Sequence, residues 1–335
     1  MRKMKWLYGV VALLTVCFLT SAQAADFPTK DLSGIIQWGA GGATDNVSRA
    51  TTPYVENALG KQIVLQNKPG ATGAIGLMSV YNQPADGYTL LYGAENPCIY
   101  KVLDISQIDY DAFFPVMLIA RNVGVVVVNN DQPWKTLGEL FEAAKKSPGT
   151  IKMGSTGPGG LPHVVSSMMK ATSGVNFNHI VFQGEGPLTT AILGGHVQWS
   201  TFGMAACSEH IRAGRMRALA VVSEVPIAGV VENVPLITAT SADYKKFLPW
   251  GPFYGVFVKK ETPDAAKKTL VDAFKKGVGD PKAQAFIKNF GSVYMGISGA
   301  EAEKFLKQWQ STTSWLLQDA GATKVSPEKF GIPKP

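Results

Sequence analysis

Cysteine is scarce. Cys17, Cys98 and Cys207 are the three in 335 residues, which excludes a disulfide-stapled scaffold and any zinc module built on paired C-x-x-C motifs. Histidine is nearly as rare. His163, His179, His196 and His210 stand 16, 17 and 14 residues apart, so no i, i+4 pair presents a metal site on one helix face. Charge is thin as well, at 17% of residues, with a formal net of +7 and no run of one sign. Without a basic stripe interleaved with aromatics, nucleic-acid binding has no support. Beyond the N-terminus there is no second long apolar run, so no later segment reads as a membrane span. Glycine and proline, at 35 and 20, fall short of a low-complexity chain.

Apolar residues are plentiful, at 46%. That excludes intrinsic disorder, and the length predicts about two domains. The N-terminus is basic at Arg2, Lys3 and Lys5, and Trp6 to Thr20 is apolar. A run of about fifteen residues is too short to span a membrane. Ala22-Gln23-Ala24 follows as an A-x-A pattern, so residues 1–24 read as a signal peptide cleaved before Ala25. A lipoprotein reading through Cys17 is disfavoured, because Val16 stands where a small residue is needed. Removing Arg2, Lys3 and Lys5 lowers the formal charge from +7 to +4.

The mature chain alternates strands with helices, which predicts an α/β fold with mainly parallel sheets. A strand ends at Ile35-Ile36, and a helix is predicted from Thr44 to Leu59, stopped by Gly60 and kinked at Pro53. Further strands are predicted at Ile63–Leu65, Tyr88–Tyr92, Ile151–Met153, His179–Phe182, Val197–Phe202, Ala218–Val222 and Tyr254–Val258. Arg121 to Asn129, with five valines, reads as one long strand buried on both faces. Thr136 with Glu139, and Ser298 with Glu301, are predicted capping boxes. Thr262-Pro263 is predicted to open a helix with a cap and an N1 proline. Gln183 to Pro187 reads as a loop, with a helix from Leu188.

One unit recurs: a strand, a loop rich in Gly, Ser or Thr, and a helix start. It occurs at Gly39–Asp45, Pro69–Ala74, Gly154–Gly160 and Gly184–Pro187. Such loops gather at the carboxyl ends of strands. Their free N–H groups and partial positive charge suit an anion without any Arg or Lys. The same turns also occur as plain geometry in α/β proteins, so both readings are open at this point. Enzyme motifs do not appear. Gly39–Gly42 is neither a P-loop nor G-x-G-x-x-G, and Gly154–Gly157 is not a G-x-S-x-G elbow. His163, at a helix start, and Glu95 and Glu185, in site loops, are candidates to line a site. No nucleophile-base pair accompanies them, so a secreted hydrolase is the weaker alternative.

With these loops assembled, the chain resembles the periplasmic solute-binding proteins of tripartite tricarboxylate transporters, the Bug or TctC-like family. The matching stretches are Gly41-Gly42-Ala43-Thr44-Asp45, Gln66-Asn67-Lys68-Pro69-Gly70-Ala71-Thr72-Gly73 and Pro84-Ala85-Asp86-Gly87-Tyr88-Thr89-Leu90-Leu91. Ile192-Leu193-Gly194-Gly195-His196-Val197 and Ile211-Arg212-Ala213-Gly214-Arg215-Met216-Arg217-Ala218-Leu219-Ala220 follow. With Trp250 and the strand at Tyr254 they span nearly the whole mature chain.

The resemblance implies a two-domain periplasmic-binding-protein fold of the Venus-flytrap kind. Residues 25–121 with 252–335 would form one domain and 122–251 the other. The valine-rich strand and the Tyr254 strand would be the crossovers of the hinge. It implies a periplasmic monomer, without cofactor, metal or catalysis. The protein would capture a di- or tricarboxylate, or an aromatic carboxylate, and pass it to a membrane permease. A sensor role beside a two-component system is the alternative.

By the same resemblance Trp38, Gly41, Gly42 and Thr44 belong to a first binding loop, and Thr72, Gly73 and Ala74 to a second. Ser155, Thr156, Gly157 and Gly159 would come from the other domain, with Gly184 and Glu185. Phe202 and Gly203 depart from the family pattern, which often has Asp-Asn there. Glu185 stands where a small residue is usual. Trp38, Tyr92, Trp199 and Phe202 are candidates for an aromatic wall.

Overall fold

In a computed structural model, residues 27–227, 231, 233–248 and 250–335 are described. The signal-peptide reading of residues 1–24 lies outside them. The strands are β1 (Leu32–Ile36), β2 (Ile63–Asn67), β3 (Thr89–Gly93), β4 (Phe113–Arg121), β5 (Gly124–Asn129) and β6 (Lys152–Ser155). β7 (Asn178–Val181), β8 (Trp199–Gly203), β9 (Met216–Val222), β10 (Phe253–Lys259) and β11 (Val293–Ile297) follow. The helices are α1 (Ala43–Leu59), α2 (Ala74–Tyr81), α3 (Leu137–Lys146), α4 (Leu161–Ser173) and α5 (Glu185–Leu193). After them come α6 (Met204–Arg212), α7 (Asp264–Val278), α8 (Pro281–Asn289) and α9 (Gly299–Asp319).

Two mixed sheets result. One has the order β11-β4-β10-β3-β1-β2, the other β7-β6-β8-β5-β9. In the first, β1 runs parallel to β2 and β3, while β10 is antiparallel to β3 and β4. In the second, β6 is parallel to β7 and β8, and β5 is antiparallel to β8 and β9. The valines of β5 are buried on both faces, as a central strand requires. Gly60 ends α1 in the left-handed region, at φ 72°, and Pro53 lies within that helix without ending it.

The chain passes between the sheets beside Asn122 and again beside Pro252. The predicted single strand from Arg121 to Asn129 is therefore two, and β4 went unread. Asn122 explains the break. Its N–H donates to the Pro252 carbonyl (2.8 Å), and its Oδ1 accepts the Val123 N–H (2.7 Å), so neither group continues a ladder. The two passages are thereby tied side by side. Helix α9 spans the same region. Trp309 Nε1 donates to the Gly251 carbonyl (2.9 Å), and Trp250 Nε1 donates to Thr313 Oγ1 (2.9 Å).

Several helix starts differ from expectation. Helix α5 begins at Glu185, three residues early, because the Leu188 N–H closes a turn onto the Gly184 carbonyl (3.2 Å). Pro187 is tolerated there, since first-turn N–H groups have no helical partner. Pro263 is the N-cap of α7 rather than its first residue, and Thr262 is buried without capping it. Thr136 does cap α3, accepting from the Glu139 N–H (3.1 Å). Ser298 makes no such bond, because Gly299 at φ 55° redirects the chain. Helix α8 and strand β11 carried too weak a pattern to be read. Cys98 and Cys207 are free thiols, both buried.

Helices α1 and α7 pack closely through Gly277, where an added Cβ would stand 2.5 Å from the Val55 nitrogen. That neighbour is backbone and cannot rotate away. Gly277→Val is expected to destabilise the protein by about 2–3 kcal/mol, read as a lower urea midpoint; an unchanged midpoint would contradict this packing.

Candidate ligand-binding site

The polar loops of both sheets meet at the carboxyl ends of their parallel strands. From the first sheet, β1 leads through Trp38 into the start of α1, and β3 leads into Ala94, Glu95 and Asn96. From the second, β6 leads through Thr156 to Leu161 at the start of α4, and β7 leads to Gly184 and Glu185 at the start of α5. These residues, with Gly42, Ala43, Thr44, Pro252 and Tyr254, enclose a cavity of about 40 Å³. No lysine, arginine or histidine is among its described lining residues.

The centre of the arrangement is the Glu185 carboxylate. Its Oε2 accepts the N–H of Ala43, the first residue of α1 (3.1 Å). Its Oε1 accepts the N–H of Gly203, the N-cap of α6 (2.5 Å). Glu185 itself opens α5. Three helix N-termini thus share one carboxylate, and each favours negative charge there. The residue as a whole is partly exposed, but this end of it is enclosed. Burial pushes its carboxyl up to about 7, against the pull of the two N–H donors.

Glu95 faces the same cavity and is 4% exposed. Burial pushes its carboxyl up to about 8; its own backbone N–H opposes the rise, while the Glu185 charge adds to it. Beside it Asn96 is 1% exposed, and neither atom of its amide has a protein partner. On the far wall Tyr254 is bonded through its hydroxyl to Asn122 Nδ2, which links the cavity to the passage between the sheets.

Of the residues predicted for the site, the structure brings Trp38, Gly42, Thr44, Glu95, Thr156, Gly184 and Glu185 to this cavity. Gly41 lies just behind, its N–H donating to Asp45 Oδ2 (3.0 Å). Thr72, Gly73 and Ala74 form a turn outside the cavity wall, where the Thr72 carbonyl accepts from the Tyr100 hydroxyl (2.8 Å). That turn meets the Gly157 loop of the other sheet: a Cβ on Gly157 would stand 2.5 Å from Thr72 Oγ1. Ser155 is buried and accepts the Gly157 N–H (3.2 Å). The Gly159 N–H donates to His163 Nδ1 (2.9 Å).

His163 itself lies in a separate hollow beside His179, with ring centres 6.0 Å apart. Burial, helped by His179, lowers it to about 4, so it is a neutral acceptor for its local N–H. Phe202 does not reach the cavity; with Tyr92 and Trp199 it is core, so only Trp38 of the four aromatics lines the site. Ala43, Ala94, Asn96, Leu161, Pro252 and Tyr254 were missed. Asn96 was within reach, because it follows Glu95 directly after β3. The small and apolar ones carry no signal of their own.

The loops of the two sheets also touch directly. The Gly39 N–H donates to the Gln183 carbonyl (3.0 Å), and a Cβ on Gly186 would fall 2.0 Å from the Ala40 carbonyl oxygen. Moving the two loops apart relieves that overlap without unfolding either sheet. Gly186→Ala is expected to leave the melting temperature nearly unchanged while enlarging the radius of gyration in X-ray scattering; an unchanged radius would show that the loops absorb the added methyl in place.

The two buried acids bear on stability. From their ordinary 4.5, the folded protein keeps these protons up to about 7 and about 8, while the unfolded chain releases them earlier. Stability therefore falls as pH rises from about 4.5 to 8, with Glu185 accounting for about 3 kcal/mol of the fall. In urea unfolding at a series of pH values, Glu185→Gln is expected to show a shallower decline than wild type. Parallel declines would show that burial does not hold this proton.

Comparison with known proteins agrees with the geometry. Residues 47–321 match the tripartite tricarboxylate transporter family receptor, TctC. The structure of the periplasmic binding protein BugD superposes with a TM-score of 0.83 at 27% identity, covering 89% of this chain and 99% of that one. An R. palustris protein solved with adipate gives 0.81 at 22% identity, over 88% and 99% of the two chains. MatC from Rhodopseudomonas palustris, with bound malate, gives 0.78 at 20%, over 88% and 100%. At those identities the last two speak for the fold. The family match extends over most of the chain, and the protein belongs to the TctC family of periplasmic solute-binding receptors, which are binding proteins rather than enzymes.

Proposed function

We propose that this protein captures an organic carboxylate in the cleft between two lobes and delivers it to a membrane permease of the tripartite tricarboxylate type. The observation that carries this reading is the convergence of helix starts from both sheets on one small polar cavity. Two structural relatives hold malate and adipate, both carboxylates. The lobes would be residues 25–121 with 252–335, and 122–251. The paired passages at Asn122 and Pro252 would serve as the hinge. Export to the periplasm would use the N-terminal signal sequence, and the receptor would act as a monomer.

The ligand carboxylate is held by N–H groups and hydroxyls of the loops that line the cavity, such as those of Thr44 and Thr156; the N–H groups of Gly73, Ala74, Gly157, Gly159 and Gly160, expected from the sequence to hold it, donate within the protein instead. Those loops contain no lysine or arginine. Hydrogen bonds to a charged group are worth about 1.5–3 kcal/mol each, so a few suffice for micromolar capture. Residues placed elsewhere, such as His163 and Phe202, support the loops rather than touch the ligand.

A thermal-shift screen of mono-, di- and tricarboxylates is the direct test. A ligand at a hundred times its Kd adds about 2.7 kcal/mol to stability, so a true ligand is expected to raise the melting temperature by several degrees. A screen without any shift, or a liganded structure in which an arginine fork makes the main carboxylate contact, would overturn the proposal.

A further inference from the structure

We propose that Glu185 sets the ligand class of this receptor. Its carboxylate fills the place among three helix N-termini that a second ligand carboxylate would need. The site then takes monocarboxylates whose far group is a hydrogen-bond donor, such as an amide, an alcohol or an ammonium, and turns away dicarboxylates. The inference rests on the carboxylate reading above and narrows it.

The first support is the state of the donors. The N–H of Ala43, the first residue of α1, and that of Gly203, the N-cap of α6, are two donors that converge on one place, and both are engaged by Glu185. A second ligand carboxylate would have to displace Glu185 from them. Doing so would leave that acid without its donors beside a new negative charge.

The second support is the cavity's charge. Glu95 stands on the wall contributed by the first sheet and Glu185 on the wall from the second. The ionisable groups close enough to feel the Glu185 charge from the other packed elements are Glu95, Tyr254 from β10 and Cys207 from α6. None of them is basic. Once the pH is above the range in which they release their protons, about 7 for Glu185 and about 8 for Glu95, two carboxyls facing a cavity with no cation among its described lining residues repel an anion and attract a donor or a cation. Each Glu185 oxygen accepts one N–H and keeps a second lone pair for a ligand donor.

The third support is Asn96. It lines the same cavity, is 1% exposed, and has neither its Nδ2 nor its Oδ1 paired within the protein. Buried amides are nearly always bonded, so this one is a recognition group for the ligand's polar end. An amide or alcohol can both donate to it and accept from it, whereas a carboxylate only accepts.

The test is calorimetric titration of the purified protein with matched four- to six-carbon acids at about pH 9, above the range in which both acids release their protons. Each length is supplied as the dicarboxylate, its monoamide, the hydroxy acid and the ω-amino acid. Wild type is expected to bind at least one donor-ended acid ten-fold or more tighter than the dicarboxylate of equal length. Glu185→Ala frees the two N–H groups and is expected to narrow or reverse that preference by ten-fold. Glu185→Gln keeps the shape without the charge and should narrow it as well, which covers the case in which the alanine variant does not fold. Glu95→Gln is expected to weaken the ω-amino acid more than the monoamide. Equal binding of dicarboxylate and donor-ended acids by wild type, or a preference unmoved in both Glu185 variants, would overturn this inference and leave the carboxylate reading standing. Binding of none of the acids would overturn both.

Discussion

A carboxyl enclosed with no basic group among the described residues around it needs hydrogen-bond donors from elsewhere, and the backbone N–H groups that supply them organise the centre of this molecule. Glu185 meets that need by drawing on the starts of α1 and α6 while opening α5. The donors belong to different sheets: α1 follows β1 of the first, α6 follows β8 of the second. One side chain therefore joins the two halves at the point where a ligand would sit. Any change in its charge or position acts at once on the cavity and on the contact between the sheets.

Close backbone approach makes the arrangement possible. Gly186 leaves room for the Ala40 carbonyl, and Gly39 can donate to Gln183 because nothing projects between the loops. At the other end, Gly251 lies where a Cβ would meet the Asn122 carbonyl at 2.3 Å, so the two passages between sheets run in direct contact. Glycine thus appears where the halves touch and where they are joined. Larger residues, such as Trp250 and Trp309, lock the helix that spans the junction.

The strand-loop-helix rhythm was legible because each unit carries its own local signals: a run of β-branched residues, glycines, then a helical stripe. The β1–α1 turn, the α3 cap and the site loops at Thr156 and Gly184 follow from that alone. What was not legible depends on partners distant in sequence. Asn122 breaks the valine strand by bonding to Pro252, 130 residues on. Glu185 reads as a loop residue until Ala43 and Gly203 are brought to it. Phe202 looks like a site aromatic because its strand ends at the cleft, yet strand alternation turns it into the core. Tyr254 has no motif and gains its place through the crossing of β10.

The sequence-level expectation of an anion site without cations and the observed pair of buried acids are two sides of one design. Helix starts supply a fixed positive potential that does not require lysine or arginine. A protein can leave that potential for a ligand, or occupy part of it with its own carboxylate. Here the Ala43 and Gly203 N–H groups are occupied by Glu185, while Thr44 and Thr156 bring hydroxyls and no acid to the same cavity. On the proposed reading the potential is divided along the cleft: one end stays fit for an anion, and the other presents acceptors. A binding cleft with ends of opposite character orients a ligand as well as holding it. Because Glu185 reaches Ala43 across the junction of the sheets, the side chain that sets the polarity of the cavity is also one that joins the two halves.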